Sequence, residues 1–272
     1  MLYAFYLLLS VGLFADDARS IVVRSVNVTN LDPALEREYT YRVRSEEREA
    51  DRIGNLRVKE STVSDVLYLG GKRFAHKLEH NGKPLPENET RKQQAKLDKA
   101  AADANKLTPA ERAKREAQTE KERREDRERL KLIAEAYDFT LKGEPTLNGR
   151  QTWQIEAAPR ATYRGKHNGL FKRLKGTLWI DQQDYHLVRV EAEALDTLSF
   201  GLFLARIAPG TRVLFELARV NDEVWLPARI EIAGSARLAL VKKQNVDQVI
   251  TFSDFRRYRT ESRITQVSDG QQ

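Results

Sequence analysis

The chain has 272 residues, 40% hydrophobic and 32% charged, with 47 basic and 40 acidic side chains giving a net charge of +7. That length suits one large β domain or two smaller ones, and the surplus of charge points to a charge-rich insertion in an otherwise ordinary fold. The absence of cysteine excludes disulfides, thiolate metal sites and cysteine nucleophiles, and the interleaving of acids with bases argues against a nucleic-acid binder, whose cations gather unmatched on one surface.

Residues 1–15 carry no charge and are followed at once by Asp16-Asp17. The run is too short for a membrane span of about 20 residues but has the length of a signal-peptide core. It predicts cleavage after Ala15, leaving residues 16–272 as a soluble, exported, periplasmic domain; a buried N-terminal helix is the alternative. Residues 21–38 predict a short helix that ends near Asp32-Pro33. Residues 39–49 alternate, Tyr39, Tyr41 and Val43 against Thr40, Arg42 and Arg44, as a half-buried strand does. Strands over 57–69 and 72–80 flank the hairpin signal Gly70-Gly71, and residues 81–84 form a turn.

From about 87 to 136 the composition changes. Roughly half the residues are charged, glycine is absent, and Ala, Glu, Lys, Arg and Gln favour helix. Thr108-Pro109-Ala110-Glu111 reads as a capped helix start, so two helices are expected, split near Leu107. The second bears apolar residues only near its end, at Leu130, Ile133 and Ala134, so that much of it is solvated or docks through few contacts. Short strands then resume: from Tyr137 with Phe139 and Leu141, at 152–157, 177–181, 187–195, 212–220, 223–232, 237–241 and 246–258. They are separated by turns rather than helices, which means antiparallel sheet. The expected class is therefore mainly β with an α insertion (α+β), a single domain.

Recognised catalytic and nucleotide-binding motifs are missing. There is no nucleophile elbow, Walker A loop, dinucleotide fingerprint or zinc-protease motif, and Gly70-Gly71-Lys72 lacks the ending of a phosphate loop. His76 and His80 share a predicted strand face with Phe74 and Leu78, without a third ligand for a metal. Pairs such as Glu46-Glu47 and Glu191 with Glu193 alternate with bases on solvent faces. The expectation is a non-enzymatic protein with no cofactor, no metal site and no nucleic-acid partner.

Three features stand out. Trp153, Ile155, Trp179, Val188, Val190, Phe215, Trp225, Ile230 and Ile232 would line one concave face if the sheet curls, either as an acyl-chain cavity or as a filled core. In residues 164–175, Lys166, Leu170, Phe171, Lys172 and Arg173 combine cations with apolar tips suited to peripheral contact with an anionic membrane, or else fold back on the sheet. Residues 198–207 are apolar on all sides, and residues 198–204 among them read as a short buried helix, a lid or a partner patch.

The order of elements, with Glu38-Tyr39-Thr40-Tyr41-Arg42, Leu147-Asn148-Gly149-Arg150-Gln151-Thr152-Trp153, Leu178-Trp179-Ile180-Asp181 and residues 220–227 ending in Leu226-Pro227, resembles the LolA/LolB-like superfamily of bacterial lipoprotein-carrier domains, RseB-like sensors included. The resemblance implies an unclosed antiparallel β-barrel or curved sheet with helices covering or flanking its concave face. It further implies a carrier or sensor whose partners are lipid or lipoprotein acyl chains. The charged insertion departs from a simple carrier and offers a second reading, an arm that docks an envelope protein.

Overall fold

The computed structural model describes residues 11–28, 37–200, 205–238 and 244–257. Helix α1 (Val11–Val28) starts ten residues before the expected helix and runs through Ala15 and Asp16-Asp17. Residues 1–10 and the Asp32-Pro33 break lie outside the described residues. Ala18, Ile21, Val22 and Ser25 form its buried stripe, the spacing of one helical face.

Strands β1 (Tyr39–Ala50), β2 (Leu56–Leu69), β3 (Lys72–His80) and β4 (Lys83–Pro84) form a meander. Gly70 and Gly71 make its tight turn at φ of 55° and 78°, where a side chain would be strained. Helices α2 (Glu87–Asn105) and α3 (Pro109–Ala136) split as expected. Thr108 and Glu111 form the capping box, each side chain serving the other's backbone N–H. Then come β5 (Tyr137–Gly143), β6 (Thr146–Leu147), β7 (Arg150–Pro159), helix α4 (Asn168–Phe171), β8 (Leu174–Asp181), β9 (Leu187–Ala194), β10 (Leu198–Phe200), β11 (Ala205–Ile207), β12 (Arg212–Val220), β13 (Val224–Leu238) and β14 (Gln244–Arg257). Two expectations change. The strand expected at 223–232 runs on to Leu238 as β13, taking in the described part of the strand expected at 237–241. The described part of 198–207 is a strand hairpin, β10 with β11, rather than a helix.

The main sheet runs β4-β3-β2-β1-β14-β13-β12-β9-β8-β7-β5, every neighbouring pair antiparallel. It does not close: β4 and β5 are its edges. Register gives it two unlike faces. One cross-strand row reads Leu141, Ile155, Leu178, Val190, Phe215, Ile230, Ile250 and Ser45. The row behind the opposite face reads Gln154, Trp179, Arg189, Glu216, Arg229, Thr251 and Arg44. Helix α1 lies on the apolar face at the β5–β7–β8 end, where Ala18, Ile21 and Val22 join Phe139, Ile155 and Ile180 in one buried cluster.

Helix α3 touches the body at both ends and little between. Near its start Arg115 donates to the Gly70 carbonyl at 2.9 Å and Thr119 accepts from Arg37 at 3.0 Å. Near its end Leu132 and Ile133 pack on the cluster that contains α1. It is a strap rather than a free arm. The sheet is open and curved, and the end of α3 packs on α1, on the apolar side.

Candidate ligand-binding face

Of the nine residues expected to share a concave face, Ile155, Val190, Phe215 and Ile230 lie in one register row and Ile232 in the next. Trp153 faces Ile180 on the same side, packed with Tyr185. Val188, buried, is the extra residue of a bulge in β9, where Leu187 rather than Val188 pairs with Ile180. Burial grades across the sheet. Ile155 is fully buried beneath α1, while Val190, Phe215, Ile230 and Ile232, away from it, remain half-buried. Leu178, Ile250 and Phe252 extend this half-buried apolar surface, and sequence reading left them out. Their signal was strand alternation, but their register could not be set before the sheet order was known.

Two tryptophans leave this face. Trp179 pairs with Gln154 and Arg189 on the opposite side, where the Arg189 guanidinium stacks on its ring at 5.0 Å. A parity error causes this, since a strand carrying Leu178 and Ile180 inward must send Trp179 outward. Trp225 lies beyond a bulge in β13 and pairs with Arg219. Its ring stacks on His186 with centroids 4.9 Å apart, and its Nε1 donates to Asp184 at 3.3 Å. Trp225, His186 and Asp184 belong to a polar cluster that ties hairpin turns together at one end of the sheet. Asp181, with a side chain 0% exposed, ion-pairs with Arg150 and accepts the Gln183 and Asp184 amides at 2.8 and 3.1 Å. Burial alone would raise the Asp181 carboxyl, but Arg150 and the two amides outweigh it and hold it below its ordinary value. Burial pushes the His186 imidazole down, against the pull of the Leu187 carbonyl and of Asp184 and Asp181.

The opposite face is charged and self-paired. Arg189 reaches Glu216 at 3.1 Å, Lys175 reaches Glu193 at 3.4 Å, and Arg44, Arg189 and Arg229 each pair with the glutamate two residues on. A groove of about 1030 Å³ opens between α2 and β1–β3, with Arg42 bridging Asp65 and Asp254 at 2.9 and 3.2 Å along one wall.

The basic loop folds back in part. Phe171, expected at a membrane surface, is 8% exposed against Tyr137 and Tyr163, because α4 turns it into the core. Leu170 is 36% exposed and Lys172 exposed. Arg173 pairs with Asp196 at 3.4 Å, and Lys166 lines a groove with Glu125 and Glu128 of α3. The histidine pair also separates. A bulge at Leu78 sets His76 opposite Asp65 but His80 opposite Thr62, on different faces. Among the described residues no group of three or more His, Asp or Glu is placed to hold a metal, and no helix is long and apolar enough to cross a membrane.

No family model and no curated protein matches the chain. Solved structures do, over most of their length. A DUF1329 family protein from Desulfovibrio piger is 10% identical at a TM-score of 0.34, with 92% of this chain and 95% of that one covered. A LolA superfamily protein from Nitrosomonas europaea is 10% identical at a TM-score of 0.30, covering 89% and 94%. An outer-membrane lipoprotein-sorting protein domain from Vibrio parahaemolyticus is 11% identical at 0.29, covering 86% and 94%.

Proposed function

We propose that this is an exported, periplasmic, non-catalytic protein that holds the acyl portion of a lipid or lipidated ligand against the concave face of its open sheet. One observation carries the reading. The row from Val190 through Phe215, Ile230 and Ile250 is continuous, apolar and only half-buried. Half-covered aliphatic and aromatic side chains keep surface in contact with water, and each methylene of a ligand buried there contributes about 0.8 kcal/mol. The self-paired charges behind the sheet leave that face without a comparable apolar surface. The charge-free run of residues 1–15 supports export. Anchorage of α3 at both ends favours a cover for the face over an arm reaching for a protein partner.

Native mass spectrometry of the purified chain, followed by organic extraction, tests the reading. A co-purified lipid, or displacement of a fluorescent fatty-acid probe at micromolar concentration, is the expected result. A bare mass with no probe binding would overturn it.

A further inference from the structure

Resting on the concave face as a lipid site, we propose that its ligand is an acyl-bearing anion whose head is received by Arg123 of α3. Arg115, Thr119 and Arg123 are spaced four apart and form one stripe along the helix. The first two touch the body, at Gly70 and Arg37, so the stripe faces inward. Arg123 is the third member and lies over the span between the two anchors. Its side chain is 22% exposed, the lowest of the α3 cations for which an ion pair is seen.

Its charge is poorly matched. Glu120 lies 3.4 Å from the Arg123 Nη1 but is held at 2.7 Å by Arg127. The Arg123 Nε is shielded from solvent and has no hydrogen-bond partner. A guanidinium carries five N–H donors in a planar fork that matches a carboxylate or phosphate, and a shielded donor left unpaired costs free energy. An anion between strap and sheet would satisfy it while its chain lay along Phe215 and Ile230. Arg115 and Arg37 are engaged in the strap's anchor, which leaves Arg123 as the receiving group.

Isothermal titration with dodecanoate and with monododecanoylglycerol, which share the acyl chain and differ in head charge, separates the two ideas. The wild-type protein should bind dodecanoate about tenfold more tightly, the scale of one charge-assisted hydrogen bond. Arg123→Gln should erase that preference without changing affinity for the neutral lipid, and Arg123→Lys should keep most of it. Equal affinities in the wild type, or a preference that survives Arg123→Gln, would overturn the role of Arg123 and leave the concave-face reading standing. If neither lipid binds, or if Ile230→Glu leaves both affinities intact, the concave-face reading fails and this inference with it. Circular dichroism of each variant guards against loss of fold.

Discussion

Asp181 shows how a buried charge is made tolerable. Its carboxylate has no exposed surface, and its oxygens are taken up by the Arg150 guanidinium and two amides of the following turn. Asp181→Asn keeps the shape and removes the charge, and should lower stability by about 2 kcal/mol, read as a lower urea midpoint at unchanged slope. The sign of its pH dependence follows from its depressed folded value. The contribution is complete above the ordinary aspartate value of about 3.9 and is lost as pH falls through the depressed one. His186 acts in a different window. Its imidazole is also depressed when folded, so the unfolded chain takes up the proton first, and stability drops as pH falls below about 6.5. The melting temperature should therefore fall between about pH 7.5 and about pH 5.5, and His186→Phe should flatten that change; an unchanged slope in the variant would assign the effect to other groups.

Elements show which parts of the fold local chemistry decides. The α2–α3 break and its capping box were readable because Thr108, Pro109 and Glu111 act within one turn. Thr108→Ala should cost about 1 kcal/mol in the first turn of α3, seen as faster amide exchange there. Strand parity was equally local, and β12 fell where alternation put it. Alternation picked out Ile155, Val190, Phe215 and Ile230, but the rest of their row could not be read, because which strand lies beside which depends on β1 meeting β14, more than 200 residues apart. Bulges deepened the problem. Single extra residues near Leu78 and Ala228 reset side-chain direction, separating His76 from His80 and sending Trp225 to the sheet end. The docking of the strap's start was hidden for another reason, since it uses a backbone carbonyl and a glycine rather than an apolar seam. A Cβ at Gly70 would stand 2.7 Å from the Leu107 Cδ1 and 3.1 Å from the Ala104 Cβ. Gly70→Ala should unseat the start of α3, raising amide exchange over residues 109–119 while β7 and β8 stay protected.

At the scale of the whole molecule, the unlike faces of one sheet set the architecture. A sheet apolar on one side and ion-paired on the other must shelter its apolar side, and here α1 shelters the β5–β7–β8 end only. Ile230→Glu places a carboxylate in the uncovered part of the row and should reduce probe binding by at least tenfold. Because Ile230 is already half-buried rather than sealed, the fold should survive, and a thermal melt checks that. The strap's two anchorages carry a last consequence. A helix is a stiff rod of fixed rise, so the distance between the two flanks of the open sheet is set by how many residues α3 has, much as a strut sets the gape of a bent strip. Seven residues inserted after Arg127 would preserve the direction each side chain faces and lengthen the rod by about 10 Å. Such a chain should spread its flanks and accept bulkier, multi-chain lipids, whereas a deletion of equal length should narrow the mouth to a single chain. The ligand's girth would then be written in the length of the helix.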